Sequence, residues 1–478
     1  MQINKNDRRM HNSIVEITNV ETQREKVFGV QPDLKLVSPC KLGDGVIAFP
    51  EEQKELLMDK FEASTPKSTF FIPASGSGSR MFQFLFDFLE NPNDENTSQV
   101  ERFLNHIEDF AFFHKLPLEI RKKIKSQDII LDDFVRYLLT DIGMGFGDLP
   151  KGLIPFHKNG PFVLNPYQEQ MLQGLSVQEE NIAFHYTIKE NFESKIQEGI
   201  FGLKEFIGQD IDLSFSYQNP ETDAVAFDSE QNPLITESGD ILTRPSGHGA
   251  LLENLNAIES DVIFMKNIDN IQHYDKSIEM NETWKYLGGM AIWFQEKITK
   301  LMKSPSLEEL TKLNTTFQFI SSKELDKIQE EDIPKLLNRP FRICGMVRNE
   351  GQAGGGPFWV EENGFITKQI VEKSQIKMQG QQYRLMVQST YFNPVVIAAV
   401  TKDVYGKKFD LNEFSDPSKY FVVKKKYKGK EIFFSELPGL WNGSMAFWNT
   451  IFVEIPSKAF SPVKTVLDLL GNEHKSIL

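Results

Sequence analysis

Apolar and polar positions alternate along this chain with two different periods. The run Ser68–Ala74 is short, apolar and rich in strand-forming residues, which predicts a buried strand. In residues 81–142 apolar side chains recur at the helical period, as at Val100, Phe103 and Leu104, which predicts a mainly helical stretch. Further along, predicted strands alternate with predicted helices. Because strands joined by helices pair in parallel through right-handed crossovers, the pattern predicts an α/β fold with a mainly parallel, mixed sheet.

The order of the predicted strands and helices indicates how the chain is divided into parts. The predicted strands that alternate with helices are Asn181–Tyr186, Leu213–Tyr217 and Asp261–Lys266, and the helices are Glu51–Phe61, Asn165–Gly174, Ile188–Glu198 and Glu282–Lys303. Strand-like runs predominate towards the C-terminus, at Tyr383–Val387, Pro394–Val400 and Thr450–Pro456. We therefore expect three parts: an N-terminal segment (1–67), an α/β core (68–340) with a helical insertion (81–142), and a strand-richer C-terminal extension (341–478) that completes the site.

Composition excludes several classes of function. The 478 residues carry a net charge of −14, so nucleic acids and anionic membranes would repel the chain, and we expect neither as a partner. The two cysteines, Cys40 and Cys344, cannot build a disulfide framework or a four-cysteine zinc site. No apolar run approaches the roughly 18 residues of a membrane helix, and the first residues lack the apolar core of a signal peptide. We therefore expect a cytoplasmic protein.

A run of alternating serine and glycine directly follows the first predicted strand. Gly76 and Gly78 would let backbone N–H groups approach a ligand closely, and consecutive N–H groups form an anion site. The hydroxyls of Ser77 and Ser79 add donors, and Arg80 adds a fixed positive charge suited to phosphate oxygens. The run therefore predicts a phosphate-binding loop, with an ordinary turn as the alternative.

Two further candidates lie in restrained loops. Lys151 stands between a proline and a glycine, which suits a point charge directed at a phosphate, although an exposed lysine in a turn is the simpler interpretation. Asp269 follows a predicted strand, and ligands of parallel α/β sheets bind beyond the carboxyl ends of strands. With Asn267 and Asn270 beside it, this carboxylate suits Mg²⁺ and sugar hydroxyls, and an Asx turn is the alternative.

Two loops nearer the C-terminus carry weaker signals. Gly247 and Gly249 flank His248, which allows backbone contact with a flat ligand such as a nucleobase; a tight turn around a packed histidine is the alternative. Lys464 lies two positions after a proline, in a second restrained setting for a cation.

The order of these motifs resembles that of the nucleotide-sugar pyrophosphorylases. ASGSGSRM resembles their glycine-rich loop with its trailing arginine, LPKGLIP their Pro-Lys-Gly segment, and RPSGHG the loop against the uridine base. IFMKNIDN resembles the strand end of the UDP-sugar branch, FSPVKTVLDLL a segment of UDP-glucose pyrophosphorylases, and IVEKSQ a stretch of UDP-N-acetylhexosamine pyrophosphorylases. The full chain, particularly LPGLWNGSMAFWNTIFVEIP, resembles an uncharacterised bacterial family with a domain of unknown function.

This resemblance implies a glycosyltransferase-A-like (Rossmann-like) nucleotidyltransferase core. It also implies a Mg²⁺-dependent reaction of a nucleoside triphosphate, chiefly UTP, with a sugar-1-phosphate to give a nucleotide sugar and pyrophosphate, without a covalent intermediate. The implied roles are catalysis by Arg80, Lys151 and Lys464; nucleotide binding by Gly76, Ser77, Gly78, Ser79, Gly247, His248, Gly249 and Gln218; sugar binding by Asn267, Asn270 and Glu372; and magnesium binding by Asp269.

Three other functions stay open from the sequence. The insertion separates Arg80 from Lys151, which keeps open a non-catalytic protein that binds nucleotide sugars on the same fold. Asp210 and Asp212 form an Asp-x-Asp pair that a metal-dependent glycosyltransferase would use, although chance explains such a pair in an acidic chain. A general interaction protein is the third.

Overall fold

A computed structural model describes residues 19–30, 34–208, 210–351, 354–362, 364–376 and 379–476 of this chain. The strands are β1 Lys35–Pro39, β2 Lys41–Leu42, β3 Gly45–Ile47, β4 Ser68–Pro73, β5 His157–Asn159, β6 Phe162–Leu164, β7 Ile182–Ile188, β8 Asp212–Tyr217, β9 Ala224–Val225, β10 Thr243–Arg244, β11 Val262–Met265, β12 Phe341–Arg348, β13 Gly356–Glu362, β14 Phe365–Val371, β15 Tyr391–Phe392, β16 Ile397–Val400, β17 Phe421–Tyr427, β18 Lys430–Glu436 and β19 Asn449–Glu454. The helices are α1 Glu51–Ser64, α2 Gln83–Glu90, α3 Asp94–Asn105, α4 Leu118–Lys125, α5 Leu131–Leu139, α6 Pro166–Val177, α7 Glu193–Ile207, α8 Leu252–Asn256, α9 Ile278–Lys303, α10 Leu307–Phe317, α11 Ser322–Leu325, α12 Ile333–Leu337 and α13 Gly380–Val387.

A ten-stranded sheet organises the described residues. Its order is β2-β3-β19-β12-β16-β11-β4-β7-β8, with β15 paired to β12. Strands β11, β4, β7 and β8 are parallel neighbours, as are β3, β19 and β12, whereas β16 runs antiparallel to both of its neighbours. The prediction of an α/β fold with a mainly parallel, mixed sheet is confirmed.

Strand β4 shows why an uninterrupted apolar run becomes a central strand. Neighbouring side chains of a strand point to opposite faces of the sheet, so a strand covered on both faces needs apolar residues at every position. On one face, the Phe70 ring lies 5.0 Å from that of Phe264 and 5.4 Å from that of Trp284 on α9. On the other face, Phe71 stacks on His185 of β7 with ring centroids 5.6 Å apart. Strand β4 is thereby placed in the middle of the molecule.

Two predicted elements differ from the structure in ways that reveal their surroundings, and the predicted strand Pro394–Val400 begins only at Ile397. The predicted helix Ile188–Glu198 begins only at Glu193, because Ile188 still pairs within the sheet. The predicted strand Tyr383–Val387 is wrong, since these residues belong to helix α13. The amide of Gln382 bonds both the backbone N–H and the carbonyl of Leu36 on β1. This long-range contact to a sheet edge has no signature in the local sequence.

The C-terminal part of the chain completes the central sheet. Strands β12, β16 and β19 lie within the same sheet as β4 and β11, and β3 of the N-terminal segment pairs with β19. The expected boundary between residues 340 and 341 therefore does not separate two sheets. Within the described part of the chain, no helix combines the length and apolar character that crossing a membrane requires.

The helical insertion has a core of its own. Phe82, Phe103 and Leu138 are buried together there, and Val463 and Val466 from the C-terminus pack into the same cluster. The insertion thus supports the C-terminal segment that carries Lys464, which we call the C-terminal tail (residues 461–476).

Candidate functional site

The loops that carry most of the predicted site residues leave the same edge of the sheet. The glycine-rich loop follows β4, Gln218 follows β8, and Asn267 and Asp269 follow β11. Because these strands are parallel, their carboxyl ends meet at one edge, where α/β proteins bind their ligands.

The two ends of the helical insertion lie close together in space. Lys151, which follows the insertion, therefore lies beside the glycine-rich loop that precedes it. The backbone N–H of Gly78 donates to the carbonyl of Leu149 at 2.8 Å, and that of Lys151 donates to Gly76 at 3.1 Å. Ser77 and Pro150 form an isolated β-bridge between these two hydrogen bonds. The glycine-rich loop and the Pro-Lys-Gly segment are therefore paired backbone to backbone, although 81–142 separates them in sequence.

The two glycines of this loop face different surroundings. A Cβ atom on Gly78 would overlap Ile154 and lie 3.0 Å from the Leu149 carbonyl, so a side chain there would push the two loops apart. A Cβ on Gly76 would meet nothing within 4 Å. Gly78 is thus closely packed between the two loops, whereas Gly76 leaves open space that a ligand could approach. The Ser77 hydroxyl caps the turn by accepting the Ser79 N–H at 3.2 Å.

Lys151, Asp269 and Lys464 form an ion triad. Both ammonium groups donate to the same carboxylate oxygen, Asp269 Oδ2, each at 2.9 Å. Lys151 also donates to the carbonyl of Val463 at 2.9 Å. The side chains of Asp269 and Lys151 are only 10% and 12% exposed, whereas that of Lys464 is 57% exposed. The triad therefore carries one net positive charge, and Lys464 presents its part of that charge to solvent.

Burial and electrostatic attraction shift the pKa values of this triad in opposite directions. Burial acts to raise the pKa of Asp269, but the two ammonium groups outweigh it and hold that pKa below its usual value. Burial lowers the pKa of Lys151, and the attraction of Asp269 offsets only part of the effect. Lys151 is consequently a cation in an environment that disfavours charge, and an anionic ligand with more than one charge would satisfy it better than a single carboxylate.

The C-terminal tail is held along the Asp269 loop. The N–H of Val463 donates to the carbonyl of Asp269 at 3.0 Å, and Asn270 forms a β-bridge with Pro462. The carboxylate of Asp468 accepts the N–H of Lys464 at 2.8 Å, which closes the turn that follows. These contacts place Lys464 from the end of the chain beside a strand in its middle.

The two asparagines of this loop differ in what their amides do. Asn270 is buried; its Oδ1 accepts the Ser461 N–H at 3.0 Å and its Nδ2 donates to the Ala459 carbonyl at 3.3 Å. Its amide is thus occupied in holding the tail, which argues against the predicted sugar contact. Asn267 is half-buried and its sugar contact stays a prediction. Gln170 of α6, which the sequence did not indicate, supports the loop by donating to the carbonyls of Ile268 at 3.2 Å and Asn267 at 3.4 Å.

The predicted base loop is a strained turn packed on the segment after β18. Gly247 has φ +75°, and a Cβ there would lie 2.5 Å from Glu436 Oε2, so only glycine fits. Nδ1 of His248 accepts the Leu440 N–H at 2.8 Å, which leaves Nε2 to carry the ring proton. The ring of His248 stacks on Trp441, with centroids 5.8 Å apart. His248 is therefore oriented from two sides.

Glu436 is a site candidate that sequence reasoning missed. Burial raises the pKa of Glu436, Lys425 and His248 act to lower it, and Glu372 acts to raise it further. Arg80 also lowers the pKa of Glu436, so the exposed end of the glycine-rich loop faces this carboxylate. Glu436 is the last residue of β18, and no local pattern distinguishes it from other strand-terminal glutamates.

The remaining predicted residues are Glu372, Gln218 and the Asp-x-Asp pair, and they lie in three different places. Glu372 lies 3.8 Å from Nε2 of His248, so the predicted sugar and base residues are neighbours. The amide of Gln218 donates to Asp223 at 3.2 Å within its own turn. Asp210 and Asp212 precede or begin β8, at the opposite end of the parallel strands from Asp269. The structure therefore does not bring the Asp-x-Asp pair to the ion triad.

In the ion triad, Asp269 could contribute one ligand to a metal ion. Among the described residues, no group of three or more histidine, cysteine, aspartate or glutamate side chains could hold a metal. Asp269 Oδ1 is buried and has no hydrogen-bond partner within the described structure, whereas Oδ2 is taken by the two lysines. One unpaired carboxylate oxygen fits Mg²⁺ only if a bound phosphate chain supplies most of its ligands.

A comparison with protein families identifies the relatives of this chain. A family model described as a domain of unknown function (DUF4301) matches residues 3–475. The chain belongs to this family. The expectation of a full-length family of unknown function is thereby confirmed, and no curated protein matches this DUF4301 protein.

Solved structures similar to this DUF4301 protein include sugar-nucleotide pyrophosphorylases. The UDP-N-acetylglucosamine pyrophosphorylase of Trypanosoma brucei, in complex with an inhibitor, is 12% identical, with a TM-score of 0.48 over 95% of this chain and 78% of that one. The UDP-glucose phosphorylase of Trypanosoma brucei is 12% identical (TM-score 0.44; 97% and 75% covered). A variant of the UDP-glucose pyrophosphorylase of Leishmania major is 11% identical (TM-score 0.43; 92% and 70% covered).

Proposed function

We propose that this protein is a nucleotidyltransferase that joins a nucleoside triphosphate, with UTP as the expected donor, to a sugar-1-phosphate. The products are a nucleotide sugar and pyrophosphate. One observation carries the proposal: Lys151, Asp269 and Lys464 come from three distant segments and meet in one ion triad beside the glycine-rich loop. Four of the motifs that resemble nucleotide-sugar pyrophosphorylases lie in the segments that build this arrangement, namely ASGSGSRM, LPKGLIP, IFMKNIDN and FSPVKTVLDLL.

The chemistry needs positive charge and no enzyme nucleophile. An oxygen of the sugar phosphate attacks the α-phosphorus of the nucleotide, the bond from that phosphorus to the bridging oxygen breaks, and pyrophosphate leaves. Such transfers are accelerated by positioning and by neutralising the charge on the phosphates. In this proposal Lys151 and Lys464 would neutralise that charge, because an entering phosphate chain would replace Asp269 as the partner of their ammonium groups.

The neighbouring loops supply the remaining roles. The open space at Gly76 and the hydroxyls of Ser77 and Ser79 suit the triphosphate, and Arg80 adds a cation at the exposed end of the loop. We assign the base to the loop around His248, whose ring is fixed, and the sugar to Glu372 and Asn267. Together these contacts would hold both substrates along one edge of the sheet.

The proposed reaction includes a Mg²⁺ ion that binds together with the nucleotide. When bound with the nucleotide, Mg²⁺ would supply further neutralisation of the phosphate charge. Asp269 would hold it through Oδ1, the oxygen that the lysines leave unpaired, with phosphate oxygens as the other ligands. Release of the lysines to the phosphates would at the same time free Oδ2.

The test is detection of pyrophosphate from nucleoside triphosphates with a panel of sugar-1-phosphates, with and without Mg²⁺. We expect turnover by the wild type and a loss on the order of 10²–10³-fold in Lys151→Ala and in Lys464→Ala. Lys122→Ala, which removes an exposed lysine of α4 with a surface ion pair, is the matched control and should retain activity.

Calorimetry with nucleotide sugars accompanies this assay. Absence of turnover with every substrate pair, together with tight binding of a nucleotide sugar, would replace the enzyme with a non-catalytic binding protein on the same fold. Absence of both turnover and binding would remove the proposed site altogether.

A further inference from the structure

A buried cluster of titratable groups includes a residue of the C-terminal tail and has no role in the reaction proposed above. It comprises His157 on β5, Glu169 on α6, His273 after the Asp269 loop, and His474 near the end of the tail; all four side chains are buried. We call it the histidine cluster. Four separate segments contribute one residue each, so the cluster forms only when the tail is docked.

Three members form one hydrogen-bonded chain. Nδ1 of His157 lies 2.9 Å from Oε1 of Glu169, and Nε2 of His157 lies 3.0 Å from Nδ1 of His474. Each contact needs one proton. A protonated Glu169 donating to His157, which in turn donates to His474, satisfies both contacts with three neutral side chains. Ionised Glu169 is satisfied as well, because both imidazoles can then reverse their direction of donation.

Once Glu169 is protonated, a further proton cannot be added while all three side chains stay neutral. Protonating either histidine of the chain would place an imidazolium in a buried site. Burial lowers the pKa of both His157 and His474 to about 3, and it raises the pKa of Glu169 to about 8, which matches a chain of neutral groups. The groups that face this three-membered chain are His273, the fourth member of the cluster, and the carboxylates of Asp275 and Asp468; Asp468 acts to raise the pKa of His474, but only weakly against burial.

The cluster is the outer of two attachments of the tail. The inner attachment includes the bond from the Val463 N–H to the carbonyl of Asp269. The outer one adds a bond of 2.9 Å from the His273 N–H to the carbonyl of Glu473 and one of 2.9 Å from the Ser476 hydroxyl to the carboxylate of Asp275. Lys464 lies on the stretch of tail between these two attachments. Loss of the outer attachment leaves this stretch held at one end and by the apolar side chains between, such as Val466.

We propose that the histidine cluster is an acid-sensitive latch that keeps the C-terminal tail, and with it Lys464, docked on the core. The latch stands independently of the proposed reaction; only its consequence for catalysis rests on the role of Lys464. The sign follows from His474, the member of the chain that leaves with the tail: its neutral form favours docking, so docking is complete above about pH 6.5, the ordinary value, and weakens as the pH falls below it. Glu169 has a raised pKa and would oppose this sign if it were released, but it lies on α6 and stays bonded to His157 on the core in both states.

The experiment measures amide hydrogen exchange of the full-length protein between about pH 7.5 and pH 5, corrected for the intrinsic rate at each pH. A released histidine with an ordinary pKa favours the undocked state by about tenfold or more at pH 5. We expect exchange at residues 471–476 to rise by that factor while β4 and β11 stay protected. In His474→Asn, whose amide can still bond His157, the rise should be smaller; in His106→Asn, an exposed histidine of the insertion, it should equal that of the wild type.

Three results would overturn the latch: protection of the tail that does not depend on pH, an equal rise in wild type and His474→Asn, or a simultaneous rise throughout the sheet. If His474→Asn does not fold, the wild-type profile and the His106→Asn control still decide between latch and global acid unfolding. Exchange needs no substrate, so failure of the latch and failure of the proposed reaction are distinguishable.

Discussion

Replacing Asp269 with asparagine tests the physical basis of the site most directly. Asp269→Asn keeps the size of the side chain and one oxygen acceptor but removes the charge that both lysines share. Lys151 then stays as a nearly buried cation, with only 12% of its side chain exposed and without a counter-charge in the triad. Lys464 can turn to solvent, because 57% of its side chain is already exposed.

The expected magnitude follows from this difference in exposure. Removing one partner of a fully buried ion pair costs about 3–5 kcal/mol. Water screens the Lys464 half of the triad, and the asparagine oxygen still accepts a hydrogen bond, so we expect a loss of about 2–3 kcal/mol in the free energy of unfolding. Urea denaturation at neutral pH measures this loss.

A matched control lies before the same strand. Asp261 precedes β11, is 53% exposed and pairs with Lys402 at 2.8 Å. Asp261→Asn should cost less than about 1 kcal/mol, as is usual for surface pairs. Inorganic pyrophosphate should raise the midpoint of thermal unfolding more in Asp269→Asn than in the wild type, because the anion no longer competes with a carboxylate for the lysines. Equal losses in the two variants, or no differential effect of pyrophosphate, would refute the assignment of the triad as an anion site.

Two further substitutions test the neighbouring loops. Gly78→Ala should destabilise the protein and weaken pyrophosphate binding, since its Cβ would overlap Ile154, whereas Gly76→Ala, with open space around it, should leave thermal stability unchanged; equal effects in unfolding and binding titrations would contradict the packing argument. Glu436→Gln should raise the melting temperature at about pH 8, because burial disfavours the ionised carboxylate, and the gain should shrink towards pH 4.5, where the neutral form contributes its stability in the wild type; a gain independent of pH would be inconsistent with the raised pKa.

Much of the fold could be predicted from local sequence for a specific reason. Strands β4 and β11 are covered on both faces, and each contains an uninterrupted apolar run: residues 70–73 in β4 and all of β11. Helix α9 is long and has a helical period of apolar residues, so in these elements the burial of side chains is visible in the sequence. Helix α13 differs from the predicted strand because its apolar residues Leu385 and Met386 pack against a cluster that includes Leu36 of the distant strand β1, a contact that local sequence does not contain. In helix α6 the sequence is also misleading. Glu169 and Gln170 have the polar side chains of surface residues, but both are buried among partners from other segments.

The sequence alone determined the kinds of groups in the site: glycines able to approach an anion, lysines in restrained loops, and a carboxylate after a strand. These depend on residue type and immediate neighbours, which local sequence contains. Only the tertiary structure decided that Lys151 returns to the glycine-rich loop across the insertion, that Lys464 shares Asp269 with it, and that Asn270 is occupied by the tail. Each of these contacts joins residues about a hundred or more positions apart or closes a long insertion, so it depends on the packing of whole elements and leaves no periodicity in the chain.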